Sequence, residues 1–337
     1  MVPAPGSLDD EKTMMKIGIP DDYADVVRTL PSFAKMSGHA VAIWTDALPD
    51  ADALTERFRD VEALVLLRER TPVSAALVAR LPKLKLITIS GPYPNIDVAA
   101  CTAHGIAVCA SANRASMATP ELTWGLIMAA MRHIPGEVAR LKGGAWQHQI
   151  GRVLHGRGLG IYGFGRIGKV VAGYGRAFGM KVLVWSRERG RAEASAQGFD
   201  VAAGPEELFA QSDVLSIHLR LTPETRACIS RTDLGRMRPG SLFVNTSRAE
   251  LIEAGALVEA LKAGCPGAAA VDVFEHEPVL GASDPLLALP NALCTPHLGF
   301  VALDQLEDYF SDQFDRVLAF EAGQPVDVIN PAVLKQG

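Results

Sequence analysis

Short apolar runs alternate with longer segments of mixed apolar and charged residues along most of this chain. From Met15 onward the runs KIGIP, HAVAIW, ALVLL, LKLITI and IAVC are typical of strands, and segments such as ADALTERFRD between them are compatible with helices. This alternation builds a parallel sheet that is covered by helices. We therefore predict a first α/β domain that begins near Met15.

A second alternation begins at Gly158, with the runs LGIYGF, KVLVWS, DVLSIHL, SLFVNTS, GAAAVDVF and NALCTP. A helical segment from about Pro120 to Arg140 is expected to cross between the domains. A closing segment from about Val301 to Phe320 has apolar residues at helical spacing and is expected to return to the first domain. The predicted fold class is α/β, with two doubly wound parallel-sheet domains and a cleft between them. One is flavodoxin-like, at residues 15–114 and 301–337, and the other is a Rossmann domain at residues 115–300.

Composition and charge exclude several classes of function. The chain has 337 residues, 48% of them hydrophobic and 21% charged, with a formal net charge of -5. Lys and Arg form no basic block and no apolar stretch approaches roughly 18 residues, so neither nucleic-acid binding nor a membrane span is expected. The five cysteines are scattered without a C-x-x-C pair, which argues against disulfides and a metal site and fits a cytoplasmic location. Residues 1–14 are acidic, unlike a secretion signal, and are interpreted as a disordered extension outside the fold.

The glycine pattern in GLGIYGFGRIGK, residues 158–169, provides the first candidate site. Gly163, Gly165 and Gly168 have G-x-G-x-x-G spacing after an apolar run, and the helix-compatible segment KVVAGYGRAFG follows. In this setting the first glycine makes the turn, the second lets the backbone approach a pyrophosphate, and the third allows a helix and a strand to pack closely. The pattern favours dinucleotide binding over a tight turn without a ligand, because the helix N-terminus would face the phosphates.

The end of the next strand carries the signal for the type of dinucleotide. A carboxylate there would accept hydrogen bonds from the adenosine ribose and repel a 2′-phosphate. This chain has Ser186 instead, followed by Arg187, Arg189 and Arg191. A hydroxyl beside guanidinium groups suits a 2′-phosphate, so the site leans toward NADP(H) over NAD(H). The alternative, solvated arginines beside an NAD(H) site, stays open.

Polar residues follow three later strands, at the edge where α/β sheets bind ligands. Arg248 lies in NTSRAEL, Asp272 and Glu277 in AVDVFEHEP, and His297 in CTPHLGF. Singly, an arginine after a strand is usually a surface charge, and a lone histidine is more often structural than catalytic. Together these residue types suit acid/base chemistry: a histidine exchanges a proton near neutral pH, and a carboxylate favours its charged form. A guanidinium binds a carboxylate and polarises a carbonyl at the same time.

With the motifs GFGRIG, HLRLTPETR, NTSRAELIEAGAL, DVFEHEP and TPHLG, the chain resembles the D-isomer-specific 2-hydroxyacid dehydrogenases over nearly its whole length from Met15. The resemblance implies an NAD(P)-dependent enzyme that interconverts a small 2-oxo acid and a D-2-hydroxy acid. The domain at residues 115–300 would bind the dinucleotide, and the other domain would bind the substrate.

The resemblance also implies roles for individual residues. His297 would be the acid/base, Glu277 its carboxylate partner and Arg248 the clamp on the substrate carboxylate, whereas the neighbouring His276 is interpreted as an exposed residue. The predicted cofactor-binding residues are Thr119, Gly163, Phe164, Gly165, Arg166, Ile167, Gly168, Ser186, Arg187, Thr246 and, near the nicotinamide, Asp272.

The first domain supplies the other predicted substrate-binding residues, Arg70, Ser90 and Gly91. Where the family presents a glycine-rich loop whose N–H groups hold the substrate carboxylate, this chain has Ser90, Gly91 and Pro92, and proline has no N–H to donate. The Ser90 hydroxyl is a candidate replacement. Arg70, in the loop RERTPV, would favour substrates with a second anionic group; a solvated charged loop is the alternative.

The assembly and the class of function have alternatives of their own. The stretch LKGGAWQ resembles the family's dimer arm, so Trp146 is a candidate interface anchor of a homodimer, with local packing as the alternative. Glu277 argues against formate dehydrogenase activity, whose pattern places a glutamine with the histidine. A dinucleotide-sensing, co-repressor-type binding protein on the same fold stays open as a second class of function.

Overall fold

The computed structural model describes residues 15–48, 50–111 and 116–335, so the predicted extension at residues 1–14 lies outside the described residues. These residues form two compact units, one from residues 15–111 and 303–335 and the other from residues 116–302. No helix in the described ranges is long and apolar enough to cross a membrane.

The described part of the first unit contains a five-stranded parallel sheet with the strand order β2-β1-β3-β4-β5. This is the flavodoxin-like order, and it confirms the predicted fold class for this unit. β3 and β4 are buried along their whole length, as expected for central strands that are covered on both faces. The strands are β1 Lys16–Ile19, β2 Ala40–Ile43, β3 Ala63–Leu66, β4 Leu86–Ser90 and β5 Ala107–Ser111.

Helices cover the first sheet, and side-chain caps define where three of them begin. Asp50, Ser74 and Asp97 each accept a hydrogen bond from a backbone N–H in the first turn of the helix that follows. The long C-terminal helix packs on β3 and β4 through Phe310 and Phe314, both fully buried. The helices of this unit are α1 Ala51–Phe58, α2 Ala75–Val78, α3 Val98–Ala103 and α11 Leu303–Glu321, with 3₁₀ turns at Val27–Thr29, Pro31–Met36 and Pro331–Lys335.

The second unit, described over residues 116–302, contains a seven-stranded parallel sheet with the order β12-β11-β10-β9-β6-β7-β8. The order reverses between β6 and β9, which is the switch point of a Rossmann fold and confirms that part of the fold class. The two-residue strand β8 was not predicted, because two residues carry no periodic pattern. The strands are β6 Gly158–Tyr162, β7 Lys181–Trp185, β8 Asp200–Val201, β9 Val214–Ile217, β10 Leu242–Asn245, β11 Ala268–Val271 and β12 Ala292–Cys294.

The helical segment predicted from Pro120 to Arg140 is two helices, α4 Ala118–Met131 and α5 Ile134–Lys142, so the prediction of one segment is wrong. His133 between them has a left-handed backbone, with φ +54°. Pro135 explains the break, because a proline has no N–H for the helix ladder and its ring would clash with the carbonyl of Met131.

The remaining helices of the second unit complete two layers around the sheet. Leu159, Ile161 and Val184 pack with Trp124 and Ile127 of α4 on one face. A second apolar cluster, which includes Phe209, Phe243 and Leu257, fills the other face. Both faces are therefore closed, and the carboxyl ends of the strands remain as the edge that can bind ligands. The helices are α6 Arg166–Ala177, α7 Glu188–Ala196, α8 Pro205–Gln211, α9 Arg231–Gly235 and α10 Ala256–Ala263, with 3₁₀ turns at Ala249–Leu251 and Pro285–Ala288.

Candidate active site

The predicted catalytic residues follow neighbouring strands of the second unit. Arg248 comes three residues after β10, Asp272 directly after β11, and His297 three residues after β12. β10, β11 and β12 are adjacent and parallel, so their carboxyl ends lie side by side at one edge. The loop after β11 carries Glu277 back to this edge.

His297 and Glu277 form a direct pair. The imidazole Nδ1 lies 2.5 Å from Oε2 of Glu277, and Oε1 of Glu277 accepts a 2.9 Å hydrogen bond from the Phe274 amide. The side chains of His297 and Glu277 are 28% and 32% exposed, so the pair is partly buried and still accessible to solvent. The Phe274 amide fixes the carboxylate, and the carboxylate fixes the plane of the imidazole.

The electrostatics of the pair favour an ionised Glu277. Burial opposes ionisation, but the hydrogen bond and charge of His297, the Phe274 amide and the Arg248 charge outweigh it, and the pKa of Glu277 is lowered. Glu277 is therefore a carboxylate at neutral pH. A carboxylate beside an imidazole stabilises the protonated ring.

His297 sits in a turn whose backbone is unusual for a residue with a side chain. Its φ is +52°, in the left-handed region, and its N–H donates to the Thr295 carbonyl at 2.9 Å. The Phe300 ring packs edge-on against the imidazole at 5.7 Å between centroids.

Asp272 lies beneath this turn and is fully buried. Its Oδ1 accepts hydrogen bonds from the Thr295 hydroxyl at 2.6 Å and the Leu298 amide at 2.7 Å, and its Oδ2 accepts one from the Gly299 amide at 2.7 Å. Burial raises the pKa of Asp272, and these three donors and the nearby His297 partly offset the rise.

Arg248 is half-buried at the end of a tight turn. The Asn245 side chain spans this turn: its Nδ2 donates to the Arg248 carbonyl at 2.9 Å, and its Oδ1 accepts from the Ser247 amide at 3.0 Å. The guanidinium donates to the Ser247 carbonyl at 2.7 Å and lies close enough to Glu277 to lower the pKa of that carboxyl. The turn thus places a fixed cation beside the His297–Glu277 pair.

The glycine loop fits a dinucleotide at each of its three glycines. A Cβ at Gly163, where φ is +101°, would lie 2.6 Å from the His218 carbonyl oxygen, and a Cβ at Gly168 would lie 2.1 Å from the Gly163 oxygen. A Cβ at Gly165 would meet no atom within 4 Å. Gly163 and Gly168 therefore allow close backbone packing, and Gly165 leaves open space at the N-terminus of α6. Phe164, Arg166 and Ile167 complete this loop and the first turn of the helix.

The end of β7 is tied to the glycine loop. The Ser186 hydroxyl accepts a 3.2 Å hydrogen bond from the Phe164 amide, and a Cβ at Gly190 would lie 2.4 Å from that hydroxyl. Arg187 is exposed and precedes the first residue of α7. Arg191 packs its guanidinium over the Trp185 ring of β7 at 4.7 Å.

Hydroxyl groups connect α4 to the sheet edge. The Thr119 hydroxyl donates to the Gly299 carbonyl at 2.6 Å, and the Thr123 hydroxyl donates to the Thr119 carbonyl at 2.8 Å. Thr123 also lies 2.7 Å from the hydroxyl of Thr246, which follows β10. Thr119 and Thr246, predicted as cofactor contacts, thus belong to one network with the turn of His297.

Arg70, Ser90 and Gly91 lie at the corresponding strand ends of the first unit. Arg70 donates to the Asp21 carbonyl at 2.6 Å and packs over the Tyr23 ring at 4.5 Å. The Ser90 hydroxyl donates to the Tyr309 carbonyl at 3.3 Å, and the Gly91 amide lies 3.4 Å from the Ser111 carbonyl. The Ser90 hydroxyl is therefore engaged within its own unit.

Two groups of residues were not assigned a role from sequence. The first group is Thr123 and Thr295, whose hydroxyls contact Thr246 and Asp272. Thr295 lies two residues before His297 in TPHLG, one of the motifs used for the resemblance, and this position was the sequence signal that could have identified it. His218 also lies in such a motif: burial lowers the pKa of its imidazole to about 3, and its Nε2 lies 2.9 Å from the Ser216 hydroxyl. It is thus a neutral histidine beside the glycine loop.

Comparison with known proteins adds to this geometry. The family model described as the D-isomer specific 2-hydroxyacid dehydrogenase, NAD binding domain, matches residues 124–299. The chain belongs to this family. Its identity to the glyoxylate reductase of Aeropyrum pernix is 36% over 309 residues, which span 88% of this chain and 91% of that protein. The predicted class of enzyme, a nicotinamide-dependent D-2-hydroxyacid dehydrogenase, is confirmed by this membership, and the matching model is that of an NAD-binding domain.

Two further relatives carry a different name. A D-3-phosphoglycerate dehydrogenase of Methanocaldococcus jannaschii is 39% identical over 251 residues, but the match spans 74% of this chain and 47% of that longer protein. The crystal structure of a phosphoglycerate oxidoreductase from Vibrio cholerae superimposes with a TM-score of 0.89 and 47% identity, and the match covers 92% of this chain and all of that one. The whole fold is thus shared, whereas the substrates that the relatives are named for differ.

Proposed function

We propose that the protein interconverts a small 2-oxo acid and its D-2-hydroxy acid through a proton relay formed by His297 and Glu277, with Arg248 as the substrate clamp. The observation that carries the proposal is the 2.5 Å contact between His297 and Glu277, beside Arg248, at the ligand-binding edge of a Rossmann sheet. When bound, the nicotinamide supplies or accepts the hydride at C2 of the substrate.

His297 handles the proton in this proposal. Its Nδ1 faces Glu277, so Nε2 is the ring nitrogen that can serve the substrate. During reduction the Nε2–H bond breaks and the proton goes to the carbonyl oxygen of the 2-oxo acid; during oxidation neutral Nε2 takes the hydroxyl proton. Glu277 stabilises the imidazolium form and holds the ring plane.

Arg248 orients the substrate. A planar guanidinium can donate two parallel hydrogen bonds to the substrate carboxylate and lies close to the adjacent carbonyl, whose developing negative charge it stabilises. The Asn245 bridge restricts the turn that carries Arg248, so little freedom is lost when the substrate binds.

Arg248→Lys is expected to lower kcat and raise KM for the 2-oxo acid. Lysine keeps the charge but loses the planar fork, a loss of about 1.5–3 kcal/mol or roughly 10- to 100-fold in kcat/KM. Steady-state kinetics measure the change, and fluorescence titration should give an unchanged dissociation constant for NADH. Normal kinetics in this variant would remove Arg248 from the substrate site.

The glycine loop is the proposed cofactor site, with Thr119, Gly163, Phe164, Gly165, Arg166, Ile167, Gly168 and Thr246 around it. Within this site the type of dinucleotide depends on Ser186 and Arg187. We propose a lean toward NADP(H), because no carboxylate stands at Ser186 to repel a 2′-phosphate and the exposed Arg187 guanidinium can pair with one.

Ser186→Asp tests this preference. An aspartate would accept hydrogen bonds from the ribose and repel the 2′-phosphate, so the ratio of kcat/KM for NADH to that for NADPH should rise by about tenfold or more, the scale of one charged hydrogen bond. Ser186→Thr, which keeps the hydroxyl without adding charge, is the matched control. An unchanged ratio in the aspartate variant would show that Ser186 does not face the ribose.

The first unit is proposed to add substrate selectivity through Arg70, Ser90 and Gly91. Arg70 is held by the Asp21 carbonyl and the Tyr23 ring, so its cationic head group is fixed at the strand ends. A fixed guanidinium favours substrates with a second anionic group. The Gly91 amide is a backbone donor in this loop, whereas Pro92 has no N–H to donate.

A homodimer is proposed to form through the arm at residues 143–153. Trp146, Ile150 and Val153 of the arm are 77%, 94% and 67% exposed, an unusual density of apolar surface. Glu137 holds the arm by accepting hydrogen bonds from the His148 and Gln149 amides. A second copy of the chain would cover these side chains.

A substrate screen tests the proposed function. Glyoxylate, hydroxypyruvate, larger 2-oxo acids and phosphohydroxypyruvate are each supplied with NADH and with NADPH, and oxidation of the cofactor is followed. At least one acid should be reduced to the D-hydroxy acid. Tight cofactor binding without turnover of any acid would instead favour the dinucleotide-sensing function.

A further inference from the structure

The turn that carries His297 is bound to one buried carboxylate. All three donors to Asp272, the Thr295 hydroxyl and the Leu298 and Gly299 amides, come from the five residues that bracket His297, at distances of 2.6–2.7 Å. An ionised carboxylate has acceptor sites only, so it matches a set of three donors. The carboxylate thus joins the chain before His297 to the chain after it.

Such a constraint is needed because His297 has a left-handed backbone. A φ of +52° strains a residue with a Cβ, and it persists only where the surroundings enforce it. Gly299 is held from a second side as well, since its carbonyl accepts the Thr119 hydroxyl at 2.6 Å. A side chain at Gly299 would press on Asp272, with its Cβ 3.2 Å from Oδ2.

We propose that Asp272 is a positioning residue that holds the His297 turn and so aims the imidazole at the substrate. This assignment rests on the proposed role of His297, and it differs from the direct cofactor contact that the family resemblance implies for Asp272. The carboxylate has no exposed surface, and both of its oxygens are engaged by the turn. Its effect on the reaction therefore passes through His297.

The chemistry of the site separates this role from general support of the fold. Burying a charge is costly, and an unpaired buried charge more so, which is why a carboxylate is a poor choice where only stability is required. The raised pKa of Asp272 reflects that cost. Neutralising the Asp272 carboxylate should therefore remove the free-energy cost of burying its charge and, at the same time, weaken its hold on the His297 turn.

The test is Asp272→Asn, which keeps the shape but turns one acceptor into a donor. The amide Oδ1 can still accept from Thr295 and Leu298, whereas Nδ2 would face the Gly299 N–H. We expect kcat to fall by about 100-fold, the scale of a misplacement of roughly 1 Å at a catalytic group. The dissociation constant for NADH should stay within about twofold, and Tm within about 3 °C, because the lost hydrogen bond and the relieved burial offset each other.

Two further variants sharpen the comparison. Thr295→Val removes one donor to Asp272 and should lower kcat by about 3- to 10-fold, whereas Thr295→Ser keeps the hydroxyl and should restore it. Asp233→Asn is the matched control, because Asp233 also accepts from a backbone amide, that of Ser230, but caps α9 and has no contact with the turn among the described hydrogen bonds. Its kcat should equal that of the wild type.

The outcomes are distinct from one another. An unchanged kcat in Asp272→Asn overturns the inference. A dissociation constant for NADH that rises tenfold, while kcat at saturating NADH is preserved, also overturns it, because it would mean that Asp272 contacts the cofactor directly. A large fall in Tm together with kcat would mean a structural role and would also overturn it. If the wild type reduces no 2-oxo acid, the proposed function fails by itself. A crystal structure of the variant still tests the inference, which requires the peptide between Leu298 and Gly299 to rotate.

Discussion

Replacing His297 with alanine should lower kcat by about 10²- to 10⁴-fold in both directions of the reaction, the range attributed to a positioned acid or base. The alanine variant has no group at the position of Nε2 to protonate the carbonyl oxygen during reduction or to accept the hydroxyl proton during oxidation. The loss should appear in kcat and kcat/KM alike, because the interaction is made in the transition state. Steady-state kinetics with saturating cofactor measure it.

His276 provides the matched control for this variant. It is an exposed histidine one residue before Glu277, and its replacement by alanine should leave kcat unchanged. The dissociation constant for NADH, measured by fluorescence, should be the same in His297→Ala and in the wild type, because the glycine loop is untouched. A His297→Ala enzyme that keeps more than about a tenth of its kcat would require another proton donor.

The strand ends could be predicted because the pattern that defines them is strong. The apolar runs before Arg248, Asp272 and His297 are bounded by polar residues, and parallel strands bring their carboxyl ends to one edge. The sequence alone therefore predicts that these three residues lie at one edge of the sheet. The glycine loop could be predicted for a similar reason, since each glycine has a separate steric task and the structure places a backbone atom where two of the Cβ atoms would be.

Three details of the structure were not predicted from the sequence: the donors to Asp272, the backbone conformation of His297 and the helix break at His133. The donors to Asp272 include the amides of Leu298 and Gly299, and every residue except proline has such an amide, so no residue type marks them. The left-handed φ of His297 is likewise unmarked, because that conformation usually indicates glycine or asparagine. The break at His133 did have a signal in Pro135, which the prediction of one segment from Pro120 to Arg140 did not use.

The pairing of His297 with Glu277 shows where the residues alone were insufficient. Twenty positions separate the two, and a carboxylate in a loop has no periodicity that would direct it to a strand end. The family resemblance supplied the pairing, and the structure adds the Phe274 amide that holds the carboxylate in place. The pair is also the part of the site whose ionisation can be followed by changing pH.

Replacing Glu277 with glutamine should move the pH dependence of the reaction toward lower pH. The pKa of Glu277 is lowered, so the wild-type side chain is a carboxylate throughout the neutral range and stabilises the protonated imidazole. Reduction needs that protonated ring, so its rate is high at low pH and falls as pH rises through the loss of the proton. Oxidation needs the neutral ring and rises over the same interval. Glutamine keeps nearly the same shape and removes the charge, so both limbs should move to a pH lower by about 1–2.

The measurement is the pH profile of kcat/KM for the 2-oxo acid and for the hydroxy acid, in wild type and Glu277→Gln, with saturating cofactor. At a pH above both limbs, the variant should reduce the 2-oxo acid about 10- to 100-fold more slowly, because each displacement of the limb by one pH unit lowers the fraction of enzyme that is active in reduction about tenfold. At the same pH the oxidation rate should change far less, since the neutral ring already predominates in both enzymes. Glu275→Gln, which neutralises an exposed carboxylate two residues away, should leave both profiles in place. A deuterated cofactor establishes whether hydride transfer is rate-limiting. If it is, and the profiles of Glu277→Gln superimpose on those of the wild type, Glu277 does not control the proton on His297.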